Sequence, residues 1–200
     1  MSSIVIAGDT SGIVTLQAPA IAGTTIINLP ANSMNIGNGG GGVSTNTAIG
    51  YNALSANTTG AQNVGVGYNR LLNNTIGVRN TAVGYVAMQL NTTGVDNTAV
   101  GRAALYANQT GSSNTAIGQG ALNVNTASNN TAVGYNALTA NTTGTPNDAF
   151  GYQALSSNTT GVNNVAIGQG ALTGNTTGQN NTAVGNSSDR KSTRLNSSHT

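Results

Sequence analysis

The sequence predicts an all-β protein, a parallel β-solenoid (β-roll) of 17-residue coils preceded by a short N-terminal β region. Three observations carry that expectation: a fixed repeat period, unbroken apolar columns within the repeat, and a glycine at one place in every repeat. The string Asn-Thr-Ala-Ile/Val-Gly, or a close variant of it, recurs with asparagine at positions 46, 63, 80, 97, 114, 130, 147, 164 and 181. The spacing is 17 residues except once, where it is 16. Self-similarity at a fixed short period is the signature of a stacked repeat architecture.

Aligned on that asparagine, the columns say what the repeat needs. The fourth position reads Ile49, Val66, Val83, Val100, Ile117, Val133, Phe150, Ile167 and Val184, with no polar residue. The fifth is glycine throughout, from Gly50 to Gly185. The ninth reads Leu54, Leu71, Met88, Leu105, Leu122, Leu138, Leu155 and Leu172. These two apolar columns are the expected structural core.

A helix does not fit, because a glycine in every repeat costs up to about 1 kcal/mol each relative to alanine. A disordered chain has no use for unbroken Val/Ile and Leu columns. Parallel coils account for both: equivalent residues stack about 4.8 Å apart, and the fixed glycine takes a positive-φ turn or a close backbone approach. Asparagine at the first position, and at the twelfth (Asn57, Asn74, Asn91, Asn108, Asn125, Asn141, Asn158 and Asn175), suits coil corners. There it tolerates left-handed backbone, and its amides can bond along the axis as ladders. The 16-residue spacing follows Asn114, where Asn125-Thr126-Ala127-Ser128-Asn129 shortens the turn-like part, so one corner is expected to lose a residue without breaking the stack.

Ahead of the repeats, Ile4 to Ala7, Gly12 to Ala18 and Thr24 to Leu29 read as short strands. The expected organisation is an N-terminal β-strand segment over 1–34, a Gly-rich linker over 35–45 and solenoid repeats over 46–188. Residues 189–200 stand apart. Asp189-Arg190-Lys191-Ser192-Thr193-Arg194-Leu195-Asn196-Ser197-Ser198-His199 reads as the in-frame translation of a sequencing-adapter oligonucleotide, and is expected to be an artefactual tail on an interrupted longer frame.

Charge is scarce, at 5% of residues. Up to residue 188, Arg70, Arg79 and Arg102 balance Asp9, Asp96 and Asp148, so the net charge of +2 arises wholly in the tail and gives no reason to expect nucleic acid as a partner. No segment approaches the roughly 20 apolar residues of a membrane span. The first residues lack a basic stretch before an apolar run, so no classical secretion signal is expected.

Side chains alternate along a strand. Ala48 sits beside Ile49 and Ala53 beside Leu54, so both faces of two short strands per coil are apolar. One face fills the coil; the other needs a cover, as in strands buried on both sides. Identical chains about a common axis are the economical cover, and the alternative is a monomeric solenoid whose second apolar stripe is shallow.

The N-T-A-[IV]-G-Y-x-A-L units over 46–186 resemble the head repeats of trimeric autotransporter adhesins and the related repeats of bacteriophage tail fibres. The resemblance implies a left-handed parallel β-roll, three identical chains, and a shaft segment of a virion tail fibre that supports host-surface attachment. Its alternative is a secreted trimeric adhesin head on the bacterial surface, binding host glycan or matrix. The 17-residue period departs from the shorter adhesin repeat.

Other motifs weigh less. Gly37 to Gly42 matches G-x-G-x-x-G, but a dinucleotide site needs a helix after it and an acidic residue about 20 positions on. There is no cysteine or glutamate and the one histidine is His199, so no catalytic, metal-binding or cofactor-binding residues are expected and the chain does not read as an enzyme. Tyr51, Tyr68, Tyr85, Tyr135 and Tyr152 share the sixth column with Arg102, and are candidate glycan contacts or a cover for the coil edge. The threonine rank from Thr59 to Thr177 raises ice binding, against which the Thr-Thr pairs are adjacent and their side chains should diverge.

Overall fold

The computed structural model describes residues 36–189. The three strands expected within 1–34 and the tail from 190 onward lie outside the described residues. Ten strands form one sheet in strict chain order. They are β1 (Ile36–Gly37), β2 (Thr47–Ile49), β3 (Val64–Val66), β4 (Thr81–Val83), β5 (Thr98–Val100), β6 (Thr115–Ile117), β7 (Asn130–Val133), β8 (Asn147–Phe150), β9 (Asn164–Ile167) and β10 (Thr182–Val184). From β2 to β10 every pairing is parallel and joins equivalent repeat positions, such as Ala82 with Ala99 and Val83 with Val100. The chain is therefore a parallel β-solenoid in which one repeat makes one coil. Only β1 runs antiparallel, against β2.

The fixed glycine follows from two constraints acting together. Gly101 and Gly118 both have φ of 130°, a region side chains rarely adopt. A Cβ on Gly101 would also lie 2.7 Å from the Gly118 carbonyl oxygen in the next coil. Glycine at this corner satisfies both at once.

The core differs from the expected one. Leu54, Leu71, Met88, Leu105, Leu122, Leu138, Leu155 and Leu172 are fully buried. Ile49, Val66, Val83, Val100, Ile117, Val133, Phe150, Ile167 and Val184 are not inside the coil; they stand on its outer face, half-buried to exposed. The strand residues facing inward are the small ones before them, including Ala82, Ala99, Ala116, Ala132, Ala149 and Ala166. Alternation forces this exchange, because only one of two adjacent strand residues can point inward. A coil of this circumference has room for alanine there, while the leucines fill it from the opposite wall.

That opposite wall is not a second strand, as the sequence suggested. Residues 51–56 are turns, and the buried leucines sit in left-handed backbone, with φ of 52° at Leu54 and 49° at Leu105. Such a conformation costs roughly 1–3 kcal/mol for a non-glycine residue, and burying a leucine returns about 1.5–3 kcal/mol. The two nearly cancel, so the wall depends on its hydrogen bonds. The Leu105 N–H donates to the Ala121 carbonyl of the following coil at 3.0 Å, and the Ala103 N–H to the Tyr85 carbonyl of the preceding one at 2.9 Å. The turn is thus bonded in both axial directions, as buried backbone must be.

Two asparagine ladders close the corners. In the first column the Asn80 N–H donates to Asn63 Oδ1 at 2.9 Å and Asn97 N–H to Asn80 Oδ1 at 3.0 Å, while Asn80 Nδ2 reaches the Gly94 carbonyl at 2.7 Å. In the twelfth, Asn74 Nδ2 donates to Asn57 Oδ1 at 2.9 Å and Asn91 Nδ2 to Asn74 Oδ1 at 2.8 Å. Both columns are buried from Asn46 through Asn164, so these bonds offset a desolvation that would otherwise cost about 1–3 kcal/mol per group.

The shortened coil keeps its strand pairing, Ala116 against Ala132. Its ladder breaks. Asn125 Nδ2 donates to the Ala127 carbonyl at 2.7 Å instead of to the asparagine of the coil before, and Asn108 Oδ1 is left buried without a partner.

Candidate interaction face

With its interior filled by Ala, Leu and Asn, the coil presents two apolar columns outward, and Ile76 and Val124 are further exposed apolar residues outside them. The fourth-column residues form a stripe along the sheet, with Val100, Ile117, Phe150 and Ile167 each more than a third exposed and Val184 68% exposed. One residue past the corner glycine the sixth column forms an aromatic ladder. Tyr51 and Tyr68 stack at 5.3 Å between ring centroids, Tyr68 and Tyr85 at 5.4 Å, and Tyr135 and Tyr152 at 5.2 Å, with interplanar angles of 14°, 9° and 10°. Stacking of equivalent coils imposes this spacing, since it is close to the strand repeat of about 4.8 Å.

The candidate glycan residues therefore separate into two stacks, Tyr51-Tyr68-Tyr85 and Tyr135-Tyr152, with Arg102 and Gln119 in the coils between. A sugar ring needs about 3.5–4.0 Å from each aromatic face it touches, so none fits between rings already stacked. The open faces lie at the ends of each stack. Arg102 is exposed between them.

Among the described residues, one pair of opposite charges lies close together. Arg79 and Asp96 pair across neighbouring coils, with Arg79 Nη2 donating to Asp96 Oδ2 at 2.8 Å, and both side chains are largely exposed. Its hydrogen bond to Arg79 holds the Asp96 carboxyl below the usual carboxylate range, and the same bond raises Arg79. Asp148 is exposed on β8. Among the described residues no three acidic, histidine or cysteine side chains gather where a metal ion would be held, and no helix is long and apolar enough to cross a membrane.

The residue that sequence reasoning missed is Arg70. It occupies the eighth position, where the other coils from Ala53 to Ala171 carry alanine, and it is fully buried. Its Nε donates to the Gly84 carbonyl at 3.4 Å, while Nη1 and Nη2 have no partner. Burial lowers its pKa to about 10. In the same coil Gly65 replaces the inward alanine, though a Cβ there would meet Arg70 Cγ at an ordinary 3.5 Å. The break in two alanine columns at one coil was the available signal.

The threonine pairs diverge. Thr58 Oγ1 donates to the Thr75 carbonyl at 3.0 Å and Thr92 Oγ1 to the Gln109 carbonyl at 3.0 Å, while Thr59 and Thr93 are exposed. The Gly-rich motif forms no phosphate cradle before an α-helix; Gly40–Gly42 is a short 3-10 turn lying against the first coil.

Comparison with known proteins finds no match for this chain among family models, curated proteins or solved structures.

Proposed function

We propose that the chain is a shaft segment of a homotrimeric fibre, of the kind that projects from a virion and supports attachment to a host surface. The observation that carries this reading is the outer Val/Ile stripe. It runs over nine consecutive strands, and a contiguous apolar band of that kind marks an interaction surface. Three copies facing a common axis would bury one such stripe from each chain, and the tyrosine ladder beside it would seal the seam. The coils give the shaft stiffness, because each is bonded to its neighbours around the circumference. Nine coils span roughly 40 Å at the strand spacing.

The test is a paired substitution on the stripe. Ile117→Asp with Ile167→Asp places carboxylates on the outer face without entering the coil; association should be lost while strand signal by circular dichroism stays. Association that survives both substitutions would remove the stripe from the interface. Antibodies raised against residues 80–113 should label fibres on virus particles. Labelling confined to bacterial cells would favour the second reading, an adhesin head, which draws on the exposed ends of the tyrosine stacks.

A further inference from the structure

The aromatic ladder is interrupted for two coils, and backbone bonds fix its register through the gap. The Ala103 N–H donates to the Tyr85 carbonyl at 2.9 Å, the Gly120 N–H to the Arg102 carbonyl at 3.0 Å and the Asn136 N–H to the Gln119 carbonyl at 2.9 Å. Tyr85, Arg102, Gln119 and Tyr135 are therefore successive rungs of one column, and all four are exposed. Three coil steps separate the two tyrosines, roughly 14 Å at the strand spacing. A saturated ring needs about 3.5–4.0 Å from an aromatic face, so one fits on Tyr85 with the polar rungs still between it and Tyr135.

The Tyr85 end of the gap differs from the other stack ends. Tyr85 is the most exposed ring of its stack, at 52%, and Tyr68 stacks on one of its faces only. The rung beyond it carries a cation, whereas the rungs next to Tyr135 and Tyr152 carry Gln119 and Gln169. Among the described residues the one ion pair is Arg79 with Asp96, so Arg102 has no carboxylate of this chain. Each rung offers a different contact. The tyrosine face takes the apolar face of a pyranose, an arginine fork takes a carboxylate through two parallel bonds, and a glutamine amide both donates to and accepts from hydroxyls. A seam sealed by the ladder is open at these two coils.

We propose that the gap formed by Tyr85, Arg102 and Gln119 binds an acidic glycan, with one carboxylated pyranose lying on the open Tyr85 face and its carboxylate held by Arg102. The site rests on the attachment half of the function proposed above and not on the seam.

The probe is an oligogalacturonate, with its methyl ester as the uncharged counterpart and polyglutamate as a chain of carboxylates without sugar. Binding to the full chain is measured by calorimetry at fixed ionic strength. The parent should bind the acid about tenfold more tightly than the ester. Arg102→Gln installs the residue the column already carries at Gln119 and Gln169, so the coil is kept, and the preference for the acid should vanish. Tyr85→Gln should weaken acid and ester alike. Arg79→Gln removes the same charge elsewhere and should change neither. Gln169→Arg in the Arg102→Gln chain places a cation on the rung after Tyr152 and should bring the preference back. A parent that binds no acidic oligosaccharide would overturn the inference, as would polyglutamate binding as tightly as the sugar acid or an equal loss with Arg79→Gln. So would an acid preference that survives Arg102→Gln, or one that Gln169→Arg fails to restore. Mass in solution separates the two readings: three associated chains that bind no sugar remove this site and leave the seam, while sugar binding by a single chain does the reverse.

Discussion

The second coil (63–79) and the fifth (114–129) are the two departures from an otherwise regular stack, and they fail in different ways. The fifth loses a whole residue, yet its strand keeps register and the damage is one unpaired Asn108 oxygen. The second keeps its length and changes side chains, placing a buried guanidinium with two unpartnered nitrogens among alanines and glycines. Backbone pairing between coils is therefore forgiving at a corner, where a loop can shorten. The interior is less so, because nothing there can pair an ion.

A regular coil sets the scale. Leu105→Ala in the fourth coil removes a fully buried side chain from the wall and should cost about 2–5 kcal/mol in denaturant unfolding. A loss well under that would mean the leucines are not what fills the coil.

The second coil should respond in the opposite direction. Arg70→Ala together with Gly65→Ala restores the alanine pair of the regular coils, and replacing a poorly paired buried charge with apolar side chains should stabilise by roughly 1–4 kcal/mol. The effect depends on pH with a definite sign. Arg70 has a folded pKa lowered to about 10, so below that value both states are protonated and the penalty is fully present. Above it, toward the ordinary arginine value, the unfolded chain binds more protons than the folded one, and this residue's contribution becomes less unfavourable. The advantage of the double variant should therefore shrink above pH 10, measured as a difference so that other groups cancel.

Repairing the fifth coil is a smaller change. Inserting one glycine between Thr126 and Ala127 restores the 17-residue spacing and lets Asn125 donate to Asn108, for a gain of about 1 kcal/mol. Stability unchanged by the insertion would show that the broken ladder is already satisfied by water. The smallest effect belongs to the exposed pair: Arg79→Ala should leave unfolding within error at moderate salt, since exposed ion pairs contribute little.

Much of this was legible in the sequence because a solenoid repeats its constraints. The period, the corner glycine and the two asparagine ladders each appear as a column, and a column has one structural meaning. Which of Ala48 and Ile49 points inward was not legible. Both are apolar, and the larger one looks like core until the coil is seen to be too narrow for it. The β-branched residues suit the outer, pleated surface of the strand instead. The left-handed wall was half visible: Asn52, Asn69, Gly120 and Asn136 in the seventh column tolerate positive φ, but leucine two positions later gives no such sign. The close packing of Gly39 to Gly41 against the first coil, where the sequence suggested a linker, was hidden because a glycine run that packs tightly has the same composition as one that does not pack.

The central claim is that the outer Val/Ile stripe is an interchain seam. Molar mass in solution, measured by light scattering on the chain carrying residues 1–188, tests it most directly. Three times the chain mass is expected, falling to one on Ile117→Asp with Ile167→Asp. A stable, folded monomer of the parent chain across the concentration range would contradict it.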